Sequence, residues 1–378
     1  MKSFCCHYKN SSWVGCDKLP AEAKACQIAL VFGERVLLEQ TDVMQEVKKY
    51  FPSADVVTCS TSGEIYDNTF HDDSIVVTGI YLEHTKLAYS LVNIDSFTNS
   101  YDLGKYAAEK LDKNGLCYVM LLSDGNLVNG TELTEAVKDG LDNKITVTGG
   151  LAGDAARFEK TLVGLNADIK EGNVVLVGFY GNRLKVGYGL KGGWEEFGPE
   201  RIITSSDANV LREIDNVSAL DLYKKYLGKY ADELPGSALL FPLAIKIKED
   251  EAPVVRTILK INEVSKSMTF AGDMPVGARV RFMKADFDKL INSAGDAAVT
   301  ANTFSETSPS LVLLISCVGR KLVLGDRTKE EIISAVKHFP ASSTIAGFYS
   351  YGEISPQKSI SCSDLHNQTM TITTFTEV

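Results

Sequence analysis

The sequence predicts an α/β (α+β) fold: duplicated strand–helix–strand units forming mixed β-sheets covered by helices. A motif order that occurs near both ends carries that expectation. Val47-Lys48-Lys49-Tyr50-Phe51-Pro52 leads through an apolar stretch to Ser62-Gly63-Glu64-Ile65 and then to His71. Val336-Lys337-His338-Phe339-Pro340 leads in the same way to Tyr351-Gly352-Glu353-Ile354 and then to His366. Shared order over so many positions reads as a duplicated supersecondary unit. The second observation is that the runs at 116–123 and 311–318 are apolar on both faces, as strands buried between two layers are. The third is the alternation itself. A strand after each helix can return parallel to the first, with later hairpins antiparallel.

The elements follow in order. Residues 27–32 are a short apolar strand. Residues 41–51 are a helix, with Val43, Val47 and Tyr50/Phe51 on one face and Asp42 and Gln45 placed as a capping box. Residues 55–60 are a β-branched strand. After the Gly63-Glu64 turn, 74–81 and 86–92 read as two antiparallel strands and 101–111 as a helix. The middle repeats the plan more loosely, with strand 116–123, helix 131–141 and strand 145–148. That strand runs into Gly149-Gly150-Leu151-Ala152-Gly153-Asp154, whose Gly-Asp stands where Gly63-Glu64 stands. Strands at 160–164, 173–180 and 184–190 follow, and Gly192, Gly193, Gly198 and Pro199 mark a boundary. Beyond it, 202–205 and 210–214 suggest a hairpin, and Ser218 caps a helix carrying Leu222, Tyr223, Tyr226 and Leu227. Strands at 254–261 and 279–283 bracket Gly272-Asp273-Met274-Pro275-Val276-Gly277. The last copy is complete: strand 311–318, helix 328–339 with a Thr328/Glu331 capping box, strand 343–348, Gly352-Glu353, and an alternating strand over 369–373.

Bulk properties exclude several classes. The 378 residues are 44% hydrophobic and 23% charged, a globular composition long enough for two ordinary domains. A formal charge of -10 argues against nucleic acid, whose phosphates need a basic face. No apolar run reaches the roughly 18–20 residues that span a bilayer, and the N-terminus lacks a signal-peptide core. A cytoplasmic location is expected, with no membrane insertion. Of eight cysteines, Cys5, Cys6, Cys16 and Cys26 crowd the first segment beside His7. Their spacing matches no zinc pattern, so no metal site is assigned, and residues 1–24 read as a mobile, reduced arm.

The repeated Gly-acid turns are the best candidates for chemistry: Glu64, Asp154, Glu353 and also Asp273. Glycine lets the chain turn sharply and leaves the acid pointing outward. Pseudo-symmetric packing would bring such strand ends to one crevice, where carboxylates suit a ligand ammonium or act as an acid/base pair. An acid after glycine also satisfies turn amides in many folds. Tyr349 and Tyr351 flank Ser350 on one strand face. His366 and Asn367 precede an alternating strand, as His71 does, and either histidine could contact a ligand or bind haem axially. Gly149-Gly150-x-x-Gly153 is followed by strand rather than helix, so it offers phosphate no helix N-terminus. There is no nucleophile elbow, P-loop or His-Glu-x-x-His.

Taken together, these residues resemble the FIST family, named for F-box and intracellular signal transduction proteins. Cys59-Ser60-Thr61-Ser62-Gly63-Glu64-Ile65 and Gly149–Asp154 resemble its N-terminal module. Asn209-Val210-Leu211-Arg212-Glu213-Ile214-Asp215, the Gly272–Gly277 run, Gly347-Phe348-Tyr349-Ser350-Tyr351-Gly352-Glu353-Ile354 and Leu365-His366-Asn367-Gln368-Thr369-Met370-Thr371 resemble its C-terminal one. The chain departs from the family pattern at Ser355, where a glycine is usual, and in its cysteine-rich arm. The resemblance implies a FIST N-terminal domain over 25–200 and a C-terminal domain over 201–378. It also implies a sensor of small ligands such as amino acids, signalling through a separate partner, rather than an enzyme. The expected ligand-binding residues are Glu64, Asp154, Asp273, Tyr349, Ser350, Tyr351, Glu353, His366 and Asn367, with no catalytic residue and no cofactor. The alternatives are a haem-bearing nitric-oxide sensor that uses His366 and controls a histidine kinase, and an enzyme with paired carboxylates for proton transfer.

Overall fold

Three copies of one unit, not two, make up most of the chain. The computed structural model describes residues 1–247, 252–304, 307–357 and 363–378. The first unit runs β1 (Lys2–Lys9), β2 (Ser12–Val14), β3 (Ile28–Gly33), α1 (Arg35–Gln40), α2 (Val43–Tyr50), β4 (Asp55–Ser60), a hairpin of β5 (Glu64–Tyr66) and β6 (Thr69–His71), and β7 (Ile75–Tyr81). The second runs β8 (Lys86–Asn93), α3 (Ser100–Glu109), β9 (Leu116–Ser123), α4 (Gly130–Gly140), β10 (Thr146–Leu151), a hairpin of β11 (Val163–Leu165) and β12 (Asp168–Lys170), and β13 (Asn173–Tyr180).

The third unit opens with β14 (Leu184–Lys191) and is then interrupted by a separate sheet. That sheet holds β15 (Glu195–Asp207), β16 (Val210–Ile214), β17 (Val217–Ser218), α5 (Ala219–Leu227), β18 (Leu243–Lys246), β19 (Val254–Arg256), β20 (Ile258–Asn262), β21 (Ser267–Phe270) and β22 (Arg279–Lys284). The unit resumes with α6 (Phe287–Asn302), β23 (Leu311–Cys317), α7 (Val318–Leu324), α8 (Thr328–Val336), β24 (Thr344–Ser350), a hairpin of β25 (Gly352–Pro356) and β26 (Ser363–His366), and β27 (Met370–Glu377).

Strand orders establish the repetition. The body sheets read β12-β11-β4-β3-β7-β1-β2, β26-β25-β10-β9-β13-β8 and β6-β5-β24-β23-β27-β14. In each, the strands flanking the helix are parallel and the return strand is antiparallel to the first. The hairpins are exchanged in a cycle: β5 pairs with β24, β11 with β4 and β25 with β10. No unit completes its own sheet.

The inner faces of all three sheets build one core, including Phe32, Cys59, Tyr118, Met120, Ile315, Phe348 and Phe375. Phe32 and Phe348 meet at 4.7 Å between ring centroids. Helices cover the outer faces, Val43 and Val47 of α2 on the first and Leu133 and Val137 of α4 on the second. On the third, α6 lies so close to β14 that a Cβ at Gly189 would fall 2.0 Å from the Ala297 carbonyl oxygen.

Several expectations need correction. The segment expected as a mobile arm contains β1, paired with β7 from Lys2↔Tyr81 to Tyr8↔Ile75, and Cys6 of that strand is buried in one core cluster with Cys26. β7 and β8 are not a pair: the chain leaves the first sheet after β7 and enters the second, where β8 pairs with β13. Asp42 caps α2 through Gln45 N as expected. The Thr328/Glu331 capping box does not form. Thr328 is itself helical and donates to the Gly325 carbonyl at 2.6 Å, while Glu331 is drawn inward by Arg320.

Candidate ligand site

The Gly-acid turns stand where each unit hands its hairpin to a neighbour, so their backbones meet. Gly153 N donates to Ser60 O, Ser62 N to Tyr349 O and Tyr351 N to Leu151 O. Their carboxyls are nevertheless committed to separate partners. Glu64, fully buried, accepts from Thr61 Oγ1 and Ser74 Oγ, each at 2.5 Å. Above that turn sits Lys321. Its Nζ donates to Ser62 O at 2.7 Å, pairs with Asp72, and lies 5.3 Å and 5.6 Å from the ring centroids of Phe70 and Tyr349. The place expected for a ligand ammonium is thus filled by the chain's own lysine. Gly63, at φ +127°, also leaves room for it, since a Cβ there would fall 2.7 Å from Lys321 Nζ.

At the second turn, Asp154 accepts from Arg35 Nε at 2.9 Å and Arg157 Nε at 2.7 Å. Burial would raise its carboxyl, but those hydrogen bonds outweigh it and hold the group below the usual range. At the third turn, Glu353 is fully buried. It accepts from Ser350 Oγ at 2.5 Å, Thr369 Oγ1 at 2.7 Å and Thr369 N at 3.2 Å. No cation among the described residues bonds it, and burial pushes it up to about 8.

The tyrosines part company. The chain changes sheet between β24 and β25, which sends Tyr349 and Tyr351 into different cores rather than onto one pocket face. Tyr349 OH lies 3.3 Å from Glu331 Oε2, whereas Tyr351 stacks on Phe158 at 4.5 Å. Asp273 accepts from Asn129 Nδ2 at 3.1 Å, docking the interrupting sheet on the start of α4.

What does gather is the end of the third unit. Ser350, Glu353, His366 and Asn367 surround the turn from β26 to β27, joined by Gln368 and Thr369. His366 pairs with Glu353 across the hairpin, and its Nε2 lies 3.0 Å from Ser355 O. Burial pushes its imidazole down to about 4, so it is neutral at pH 7. Asn367 and Gln368 are completely buried, yet their side-chain amide N and O atoms have no hydrogen-bond partner among the described residues.

Beside this turn lies a cavity of about 160 Å³, walled by His366, Thr369 and Trp194 on one side and by Val254, Val255 and Met283 of the interrupting sheet on the other. Trp194 also lines an open cleft of about 700 Å³ with Glu195, Lys284 and Lys289. Two buried arginines, neither singled out by the sequence, brace the junction. Arg320 bonds Glu331 at 2.6 Å and Leu290 O at 2.8 Å, and also reaches Gly192 O and Gln368 O. Arg256 donates to Leu365 O at 3.0 Å. Among the described residues no group of three or more His, Cys, Asp or Glu could hold a metal ion.

A model of the FIST N domain matches residues 27–217, and one of the FIST C domain matches residues 219–356. The chain belongs to the FIST family. No curated protein matches it. FIST domains are associated with signal transduction and small-ligand sensing. The two FIST matches meet at β17, inside the interrupting sheet, so the third unit draws strands from both. Among the described residues of this FIST chain, no helix is long and apolar enough to cross a membrane. The haem reading does not fit its residues. His366 is 1% exposed with Nε2 engaged, the cavity beside it is only about 160 Å³, and no histidine among the described residues lines the larger cleft.

Proposed function

We propose that this FIST protein is a cytoplasmic sensor that binds a small metabolite, an amino acid or related amphoteric compound, between the body and the interrupting sheet. Its signal passes to a separate partner such as a histidine kinase. The observation that carries the reading is the Asn367–Gln368 turn, with buried amide atoms lacking partners. Leaving one such polar group unsatisfied costs roughly 1–3 kcal/mol. A turn that retains several, flanked by cavity-lining His366 and Thr369, has hydrogen-bonding capacity to offer a guest. Because the cavity walls come from two bodies, occupancy biases how those bodies sit, which is the hinge form of a ligand switch. Arg320 ties the turn to Gly192, where the chain crosses between them.

A thermal-shift screen of a metabolite panel tests this. A bound compound at 100-fold excess over its Kd should stabilise the protein by about 2.7 kcal/mol and be recovered unchanged. Asn367→Leu should abolish the effect. A panel without any hit, or hits indifferent to Asn367→Leu, would refute the site. Product formation that disappears in Glu64→Gln would instead establish the enzyme.

A further inference from the structure

The end of β14 separates two hollows. Gly187 and Gly189 face α6, since a Cβ on them would fall 2.1 Å from the Ala301 carbonyl oxygen and 2.0 Å from that of Ala297. Side chains alternate along a strand, so Lys191 shares that face and Leu190 takes the opposite one. Leu190 accordingly lines the junction cavity, whereas Lys191 lines the open cleft of about 700 Å³. That volume falls within the roughly 300–1,000 Å³ of small-molecule sites. The walls of the cleft are α6 and the interrupting sheet, and Gly193 and Trp194 of the crossing join them.

The charges of the cleft are incompletely paired. Glu195 takes both Lys284, at 3.3 Å, and Lys289, so two ammoniums share one carboxylate. Glu196 is engaged by Arg281, at 2.6 Å. Lys191, Asn292 and Asp296 also line the cleft, and their side chains make no hydrogen bond or ion pair among the described residues. One end thus carries a surplus ammonium, and the other offers a free ammonium, amide and carboxylate. Their order is set by α6. Lys289, Asn292 and Asp296 stand at i, i+3 and i+7 on one helix face. At 1.5 Å per residue, Lys289 and Asp296 are roughly 10 Å apart along the axis. Gly189 lies against Ala297 and Gly193 against Lys289, which puts Lys191 between the two ends.

The geometry points to a second ligand site, in this cleft, for an acidic amino acid or a like amine dicarboxylate. The ammonium of the guest meets Asp296, the carboxylate next to it meets Lys191 and Asn292, and the far carboxylate meets Lys284 and Lys289. Its single net negative charge matches the one surplus ammonium of the lining. The distance along α6 is one that a short dicarboxylic amine bridges with a hydrogen bond of about 3 Å at each end. Trp194, held by its Nε1 on Gln368 O at 2.8 Å, gives the methylenes an apolar surface. This site stands apart from the junction cavity, which lies on the other face of β14, and either can fail without the other.

The test uses the full chain with Trp13→Phe, so that Trp194 reports alone, and matched titrations of L-glutamate, L-glutamine and glutarate at constant ionic strength. Binding is read by Trp194 emission and by calorimetry. Glutamate should bind. Glutamine lacks the far carboxylate and glutarate the ammonium, and each should bind about fivefold more weakly or worse. Lys191→Gln and Asp296→Asn should each weaken glutamate by about the same factor. Both residues are exposed, so the unliganded variants should unfold at the parent's temperature. No response to glutamate, equal binding of the three probes, or glutamate binding unchanged in either variant would overturn the cleft site. Asn367→Leu separates the two hollows, because glutamate should still bind to it. In the metabolite panel, acidic amino acids are therefore read against Asp296→Asn and all other compounds against Asn367→Leu. Glutamate binding lost in Asn367→Leu but indifferent to Asp296→Asn would overturn the cleft site and support the junction cavity.

Discussion

Glu64 and Glu353 are carboxyls with no bonded cation among the described residues, each held by hydroxyl groups in the interior. Burial pushes both up to about 8, against an ordinary value of 4.5. The folded protein therefore keeps protons that the unfolded chain releases above about 4.5. The stability these groups provide is complete below that value and is lost as pH rises toward 8. Urea midpoints between pH 5 and 8 should fall less for Glu353→Gln than for wild type, because the amide cannot ionise. Parallel pH curves for the two proteins would contradict the assignment, and the difference cancels opposing titrations such as that of His366. At this scale the repeated acids were legible as a motif, but the internal partners that hold them were not. Lys321 reaches the Ser62 carbonyl and Arg320 the Gly192 carbonyl, contacts between residues far apart in the chain. Gln368 was passed over although it follows Asn367, because nothing in a glutamine's sequence context reveals that its amide is stranded.

Among the elements, β1 departs furthest from expectation, and cysteine chemistry separates the two descriptions. In a mobile arm, Cys5, Cys6 and Cys16 would be ordinary exposed thiols, and Cys26 just beyond it would lose the cover of β1. In the sheet, Cys6 and Cys26 are fully buried, and burial pushes the Cys26 thiol up to about 12. The thiolate is the nucleophile, so both access and ionisation are suppressed. Titration with a chromogenic disulfide should label Cys6 and Cys26 only as fast as the native protein opens, and at once in denaturant. A rapid native burst that includes these two would restore the arm. Elements with large apolar stripes, such as α2 and α4, were legible from their period. The helix α6 was not, because its buried side is Ala294, Ala297, Ala298 and Ala301, chosen for close approach to Gly187 and Gly189 rather than for bulk. The pairing of β7 with β8 failed for another reason: adjacency in sequence does not say whether a tight turn closes a hairpin or carries the chain to a new sheet.

At the level of the whole molecule, the duplicated motif was legible because the Phe-Pro and Gly-Glu-Ile landmarks survive in two copies. The cycle of exchanged hairpins was not, because a hairpin's sequence carries no record of which neighbour it joins. That cycle makes the body one cooperative structure, whereas the interrupting sheet has its own core, including Leu211, Tyr223, Met268, Phe270 and Phe282. The two chain crossings into that sheet are neighbours, since Glu195 of β15 pairs with Lys284 of β22. Paired residues in antiparallel strands lie roughly 4.5–5.5 Å apart at Cα. A short glycine-rich linker from Gly193 to Asp286 therefore spans the gap without strain. The shortened protein should unfold in one cooperative urea transition, somewhat less stable for want of the Asp273–Asn129 and Arg256–Leu365 contacts. It should also bind no metabolite, having lost Val254, Val255 and Met283 from the cavity wall. Retained binding would move the site into the body, and a shortened chain without a cooperative transition would mean that the interrupting sheet is part of the body's fold rather than a lid upon it.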